Sequence, residues 1–309
     1  MHFNKPALSI TDQLNLLKSR GLTISDDTIV ENWFRSVSYY RLSGYWLPFE
    51  LPPPPERTRS KQFIAGTTFD DIIDLYIFDR ELRLITMEAI ERIEIALRAR
   101  WTYHVVHALG PHAHLNPDNF DLNYWKSKYW SMVASLSKST GQSDEVFIKH
   151  YLKKYKTPNS PPLWAVTELM SFGELSIWVS MTKDKKITHR VARDIGFPNV
   201  KTLEGALQNI ALVRNKCAHH SRLWNRKFTK RTPAIKSLSN VLVYAGPVHQ
   251  RQADNKLYNT LVLLVHLLRR QAPTTTYPAR LKALINKRHL GDQGSMGFPQ
   301  NWDQQKFWN

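Results

Sequence analysis

From about residue 69 to residue 107 the chain places apolar side chains at helical spacing: Phe78, Leu82, Ile85, Ala89, Ile93, Ala96 and Leu97. A run of this length and period reads as one long helix, with Thr67 or Thr68 as its opening cap. Its other faces carry Arg80, Glu81, Arg83, Glu88, Glu91, Arg92, Glu94 and Arg98, most of which read as solvated pairs one turn apart. Arg100 and His104 fall near the centre of the apolar stripe, so one of them is expected to reach into a site. No stretch alternates as a strand does and no internal repeat is visible. The fold class is therefore all-α.

Shorter helices fit around this one. Thr11 to Gly21 has an apolar face and a glycine stop, and Ser25 or Asp26 caps a second helix through Ile29, Trp33 and Phe34. The next run, Tyr39 to Trp46, has two readings: an aromatic hinge packed on the core, or a stacking surface for bases in which Arg41 meets phosphate. Leu51 to Pro55, with Glu56 to Lys61 after it, is a stiff exposed loop. Residues 126–156 look helical and basic. A single helix is expected over Leu163 to Met181, facing inward with Trp164, Glu168, Phe172, Leu175 and Trp178. Glu168 is either a surface residue or the partner of a buried arginine. Lys183 to Lys186 reads as a solvated turn and 187–195 as a short helix. Helices follow at about 252–270 and 278–288, and Gly291 to Gly294 loosens the chain. The aromatics Phe298, Trp302, Phe307 and Trp308 are too large to stay exposed and should dock, on this protomer's core or on a partner's. The organisation is an N-terminal helical unit with its proline-rich loop (1–60), a helical core (61–232), and C-terminal helices with an aromatic tail (233–309).

The net charge of +17 is a statement about partners rather than fold. Nucleic acid is the first candidate, with an acidic protein or membrane surface next. The single cysteine, Cys217, excludes an internal disulfide and suits a reducing compartment. Met1 to Pro6 lacks a secretory core, and Leu261 to Leu268 is too short to span a bilayer. The expectation is a soluble cytoplasmic protein.

Chemistry concentrates at Val213 to Arg226. On a helical wheel Leu203, Leu207, Ile210 and Arg214 fall within about 40° of one another, so an arginine takes the next core position. A charge on an apolar seam needs a partner or a purpose. Cys217 and Ala218 are small enough to let another backbone approach. Asn215 and His219 share a neighbouring face, which Arg222 and Arg226 extend if the helix continues. Arg-x4-His alone is weak: about one such pairing is expected by chance among 12 histidines. Arg98 with His104 and Arg100 with His107 are looser decoys. Context separates Arg214 and His219 from these. An imidazole can move a proton near neutral pH, and a guanidinium holds two phosphoryl oxygens without losing its charge. Together they suit metal-free RNA cleavage, with Asn215 orienting the ring. Two copies across a twofold axis supply two of each. The plain alternative is a pair of cations capping a helix end. His112 and His114 resemble metal ligands only weakly, and no metal or cofactor is expected.

Arg214-Asn215-Lys216-Cys217-Ala218-His219 resembles the R-N-x-x-A-H signature of HEPN ribonuclease domains. The longer string through Arg226 looks like the Abi-like (AbiD/AbiF) abortive-infection family. Tyr39 to Tyr45, Pro162 to Gly173 and Met296 to Trp302 agree with it in order. The resemblance implies an all-α, HEPN-type helical bundle that dimerises through the Arg214–His219 helix. It implies an endoribonuclease toxin of bacterial phage defence that leaves 2′,3′-cyclic phosphate ends, some members being held in check by a small structured RNA. Carried over, Arg214 and His219 match the catalytic pair and Asn215 the polar residue between them. Tyr39, Tyr40, Arg41, Arg100, His220, Arg222 and Arg226 are further RNA-contact candidates on which the family pattern is silent. A non-catalytic RNA-binding sensor and a helical partner of an acidic protein are the competing classes. RNA is the expected partner and a membrane is not.

Overall fold

A computed structural model describes residues 2, 6–56, 58–247 and 252–309. Most of Met1 to Pro6, and Arg57 of the proline-rich loop, lie outside these residues. The described chain is 63% helical, with thirteen α-helices and two short strands. The strands, β1 (Tyr244–Ala245) and β2 (Gln252–Ala253), pair antiparallel with Tyr244 opposite Ala253. The chain forms two compact units, Met1–Leu82 and Arg83–Asn309.

In the first unit α1 (Ile10–Ser19) starts at Ser9, whose hydroxyl accepts from Asp12 N–H at 3.1 Å. Helix α2 (Asp27–Ser36) starts at Asp26, as the sequence indicates. They bury Leu14, Leu17, Val30 and Phe34, whereas Ile29 is exposed. Tyr39 to Trp46 contains α3 (Tyr39–Leu42), and its hinge reading holds for most of the run. Leu42, Tyr45 and Trp46 are buried, and the Tyr45 hydroxyl donates to the buried Asp79 carboxylate at 2.7 Å. Tyr39 meets Trp46 edge-on at 4.9 Å, leaving Tyr40 and Arg41 exposed. Helix α4 (Phe69–Leu109) begins in this unit, where Thr68 and Asp71 cap each other reciprocally.

The second unit holds the rest of α4 and everything after it. Trp101, Phe120, Tyr129 and Trp178 make its aromatic centre, and Trp101 Nε1 donates to Thr182 Oγ1 at 3.0 Å. Helix α5 (Leu122–Gln142) packs on this centre, and α6 (Val146–Lys154) follows. The expected single helix over Leu163 to Met181 is broken into α7 (Leu163–Val166), a 3-10 turn (Thr167–Leu169) and α8 (Phe172–Met181). The break has a local cause. Ser171 and Glu174 form a capping box, with Ser171 N–H to Glu174 Oε2 at 2.9 Å, and a capping box starts a new helix. Breaking there turns Trp164 outward to 53% exposure, while Phe172, Leu175 and Trp178 are buried as expected.

That break frees the carbonyl of Met170 and leaves Thr167 O, which accepts Met170 N–H at 3.1 Å, open to a second donor; Arg98 reaches both. It donates to Thr167 O, to Met170 O at 3.0 Å and to Glu94 at 2.8 Å, and it is 8% exposed. Arg98 and Arg83 are therefore buried rather than solvated. Glu168 reaches Arg98 only at 4.0 Å and is itself exposed. Helix α9 (Lys185–Ile195) starts two residues earlier than expected, because Asp184 accepts from Lys186 N–H at 2.8 Å and caps it; the supposed turn at Lys185 and Lys186 is helix. It runs into α10 (Val200–Ala218), which packs on α8 and α9. The last helices are α11 (Leu257–Gln271), α12 (Tyr277–Ile285) and α13 (Leu290–Ser295).

The segment expected to loosen at Gly291 is instead α13, held by Arg288 to Asp292 at 2.8 Å and by Gln293 Nε2 to Arg288 O at 2.9 Å. The aromatic tail docks on its own protomer: Phe298, Trp302 and Trp308 are buried around Tyr258. Among the described residues no helix is long and apolar enough to cross a membrane.

Candidate functional site

Helix α10 is capped by Asn199, which accepts from Thr202 N–H at 2.8 Å. Its stripe of Leu203, Leu207 and Ile210 is buried, as the wheel requires. Arg214 continues that stripe at the last full turn and is half-buried. Its Nε is fully buried with no hydrogen-bond partner among the described residues, and no carboxylate there pairs with its guanidinium. Other buried side chains, among them Trp46 and Trp178, also carry a polar atom without a partner; Arg214 differs in being charged, and an unpaired buried charge is the costlier case.

The helix ends at Ala218. His219 is its C-cap, donating backbone N–H to Asn215 O at 3.0 Å, and Ser221 N–H closes on Lys216 O at 2.9 Å. His220 takes a left-handed backbone at φ +53°, and its N–H donates to Cys217 O at 3.0 Å, so with the Ser221–Lys216 bond it closes the helix as a glycine usually does. The helix therefore does not continue to Arg222 and Arg226. They lie in the irregular segment that follows, where the Arg222 guanidinium sits 5.9 Å from the Trp224 ring and Arg226 Nε donates to Arg222 O at 2.7 Å. Asn215 and His219 are both exposed, and only backbone atoms join them; the Asn215 amide does not hold the imidazole. Cys217 is buried beside Tyr277 of its own protomer, so its small size serves internal packing. Burial pushes the Tyr277 hydroxyl well above the usual phenol range, and the Glu88 carboxylate adds to this.

Sequence reading passed over Asn209. It is buried, donates to Lys230 O at 2.8 Å and accepts from Thr260 Oγ1 at 3.0 Å, tying the middle of α10 to both the returning chain and α11. An amide inside the apolar run five residues before Arg214 was the available signal.

The other candidates separate. Arg100 is exposed, because the centre of the buried stripe of α4 is Leu97, Trp101 and Val105. His104 does not enter a site either; its Nε2 lies 2.7 Å from Asp194. Tyr39, Tyr40 and Arg41 belong to the first unit, whereas Arg214, Asn215, His219, His220, Arg222 and Arg226 share one segment of the second.

His112 and His114 bind hydroxyls, those of Tyr151 at 3.3 Å and Ser160 at 3.1 Å, and no metal-holding cluster occurs among the described residues. Burial holds the His114 imidazole down at about 4, from an ordinary 6.5, with His112 adding to the effect. The unfolded chain therefore takes up a proton that the folded one refuses. Above about pH 6.5 the contribution of His114 is constant; as pH falls from 6.5 towards 4 the protein should lose up to about 3 kcal/mol of stability. His266, also held low chiefly by burial, acts in the same direction. Urea midpoints at pH 7 and pH 4.5 measure this, and His114→Asn should flatten the difference. An unchanged slope in that variant counts against the assignment.

The sequence model of the Abi-like protein family matches residues 32–225, from within α2 to just beyond the end of α10. Neither the curated proteins nor the solved structures contain a match to this chain. The matched span covers well over half of the chain and includes Arg214, Asn215 and His219, so the chain belongs to the Abi-like protein family.

Proposed function

We propose that this Abi-like chain serves anti-phage abortive infection as a metal-independent endoribonuclease toxin that works as a homodimer, is of the HEPN type, and is controlled by a bound small RNA. The observation that carries the reading is the state of Arg214: a guanidinium at the end of a buried apolar stripe, its Nε buried and unmatched, five residues before an exposed and unengaged His219. The chemistry asks for both groups. The 2′-oxygen attacks phosphorus as its proton passes to a base, the bond to the 5′-oxygen breaks, and that oxygen takes a proton from an acid. The products are a 2′,3′-cyclic phosphate and a 5′-hydroxyl. His219 can take either proton step, and Arg214 balances the charge that builds on the non-bridging oxygens.

Five helical residues set Arg214 and His219 about 140° apart around α10. That spread favours a site completed by a second copy. Two apolar side chains of α4, Leu84 and Ile95, support a dimer. They are 59% and 58% exposed and about 20° apart on the wheel. Between them lies Glu88, which pairs with Arg280 and acts on Tyr277, the neighbour of Cys217. A second copy covering this stripe would come close to the motif.

One observation favours a non-catalytic reading instead. His219 is the C-cap of α10, where a cation is stabilised by the last carbonyls without any chemistry. A single experiment separates the two. A labelled RNA pool is incubated in EDTA with protein stripped of bound nucleic acid, wild type against His219→Ala. Cutting by wild type alone, with cyclic-phosphate ends, is the expected result. No cutting by either, with one defined RNA in the stripped fraction, favours a binding module.

A further inference from the structure

Helix α9 divides sharply between an apolar and a cationic face, away from the motif. Its buried face is Ile187, Val191, Ala192 and Ile195; its outer face, with the residue just before Asp184, presents Lys183, Lys185, Lys186, Arg190 and Arg193, all exposed. The two acids at its ends are engaged, Asp184 by capping the helix and Asp194 by His104 at 2.7 Å, with Arg193 Nε a looser 3.9 Å from the other Asp194 oxygen. At its C-terminal end the helix stops on Gly196, at φ +117°, and a Cβ there would lie 2.6 Å from Arg270 Nε. The bare glycine thus lets Arg270 lie across the helix end. The groove formed there measures about 640 Å³ and is lined by Arg193, Lys236 and Arg270 over Phe197 and Pro198, with no carboxylate in its lining.

The geometry points to this face and groove as a phosphate track: a surface that holds single-stranded RNA by its backbone, apart from Arg214 and His219. This rests on the reading above that RNA is this chain's partner, whether or not it is cut. The occupant follows from what the face has and lacks. Closely spaced cations with few free acids match a polyanion. A membrane surface would also need large apolar side chains beside the charges, and α9 exposes none. Fifteen residues of α10 separate Asn199, next to the groove, from Arg214, about 22 Å along the axis. A strand held on the track is therefore tethered at a distance from the cleavage position, which fixes where along its length it is cut.

The test is fluorescence anisotropy of a labelled single-stranded RNA against full-length His219→Ala protein, over a range of salt. The partner variant adds Lys186→Gln, Arg190→Gln and Arg193→Gln. A control adds Lys126→Gln, Lys128→Gln and Lys138→Gln on the exposed face of α5, matching the loss of charge. All six positions are exposed, so circular dichroism should be unchanged. The α9 variant should bind at least tenfold more weakly, and its slope of log affinity against log salt should fall by about 2, as three lost phosphate contacts require. The control should keep most of its affinity. Equal losses in both variants, or none in the α9 variant, overturn the proposal, as does retention on anionic vesicles rather than RNA. If wild type cuts no RNA but binds it through α9, the track stands and the nuclease reading falls. If wild type cuts RNA and the α9 variant binds it as wild type does, the reverse holds.

Discussion

Replacing His219 by alanine should slow RNA cleavage by about 10²–10⁴-fold, the range for loss of a positioned proton-transfer group. Arg214→Ala should cost as much or more, because it removes the charge that meets the developing phosphorane and leaves its buried cradle empty. Arg214→Lys should not restore the rate: an ammonium is a point charge that cannot fork across two oxygens. Both losses should appear in the rate at saturating RNA, since the exposed cations elsewhere still bind the strand. If the site is shared between two copies, mixing Arg214→Ala with His219→Ala should recover part of the activity, because the mixed dimer keeps one intact residue of each kind. Wild-type rates in both single variants would sink the assignment. Silence of the mixed dimer, with both parents dead, would place Arg214 and His219 of one chain together in each site.

Arg98→Ala should be the most damaging single substitution away from the motif. The side chain is 8% exposed and satisfies two main-chain carbonyls at the break between α7 and α8, besides pairing with Glu94. Its removal strands the Met170 carbonyl, takes one of two donors from Thr167 O, which keeps Met170 N–H at 3.1 Å, and leaves a carboxylate, itself only 16% exposed, without its cation. Breaking a buried pair in this way costs about 3–5 kcal/mol. Chemical denaturation of wild type, Arg98→Ala and Glu168→Ala checks it. The last, exposed and 4.0 Å from Arg98, should change stability by less than about 1 kcal/mol. Equal effects from the two would show that Arg98 is held by Glu168 after all.

The comparison of Arg98 with Leu97 shows what was legible beforehand. Periodicity assigned Leu97, Ile93 and Leu82 to the core of α4 because burial of apolar faces follows the helical repeat directly. It placed Arg98 among solvated charges because the acceptors for its guanidinium are carbonyls of Thr167 and Met170, some seventy positions downstream, and carbonyls have no signature in side-chain sequence. The break that exposes them was encoded locally, in Ser171 and Glu174, but a capping pair inside an apolar run is easily read through. Arg100 illustrates the opposite error: it fitted the wheel of a straight helix, yet the stripe that is buried at that end runs through Trp101 and Val105. At the candidate site, the seam ending in Arg214 was legible as a conflict between charge and pattern. The stop at Ala218 was not, because no glycine marks it; the left-handed turn is made by His220. Asn209 was marked in the sequence only as an amide inside an apolar run; what it ties together was not legible, since its partners Lys230 O and Thr260 are remote.

The clamp at Asn209 turns the segment after α10 into a closed loop. The chain leaves the helix at Ala218, buries Leu223 and Trp224, and returns to the middle of the same helix where Lys230 O meets the Asn209 amide; Phe228 N–H is meanwhile bound to Asn255 O at 2.8 Å. Both flanks of the exposed Lys227 are therefore anchored independently. A trypsin cut there should give two bands on a denaturing gel but a single particle on a sizing column. Such a nicked protein would keep Arg214, His219, Arg222 and Arg226 on one fragment while severing the strand that carries Arg222 and Arg226 from the chain after Lys227. Limited digestion thus offers a way to ask what that strand contributes without changing a single side chain.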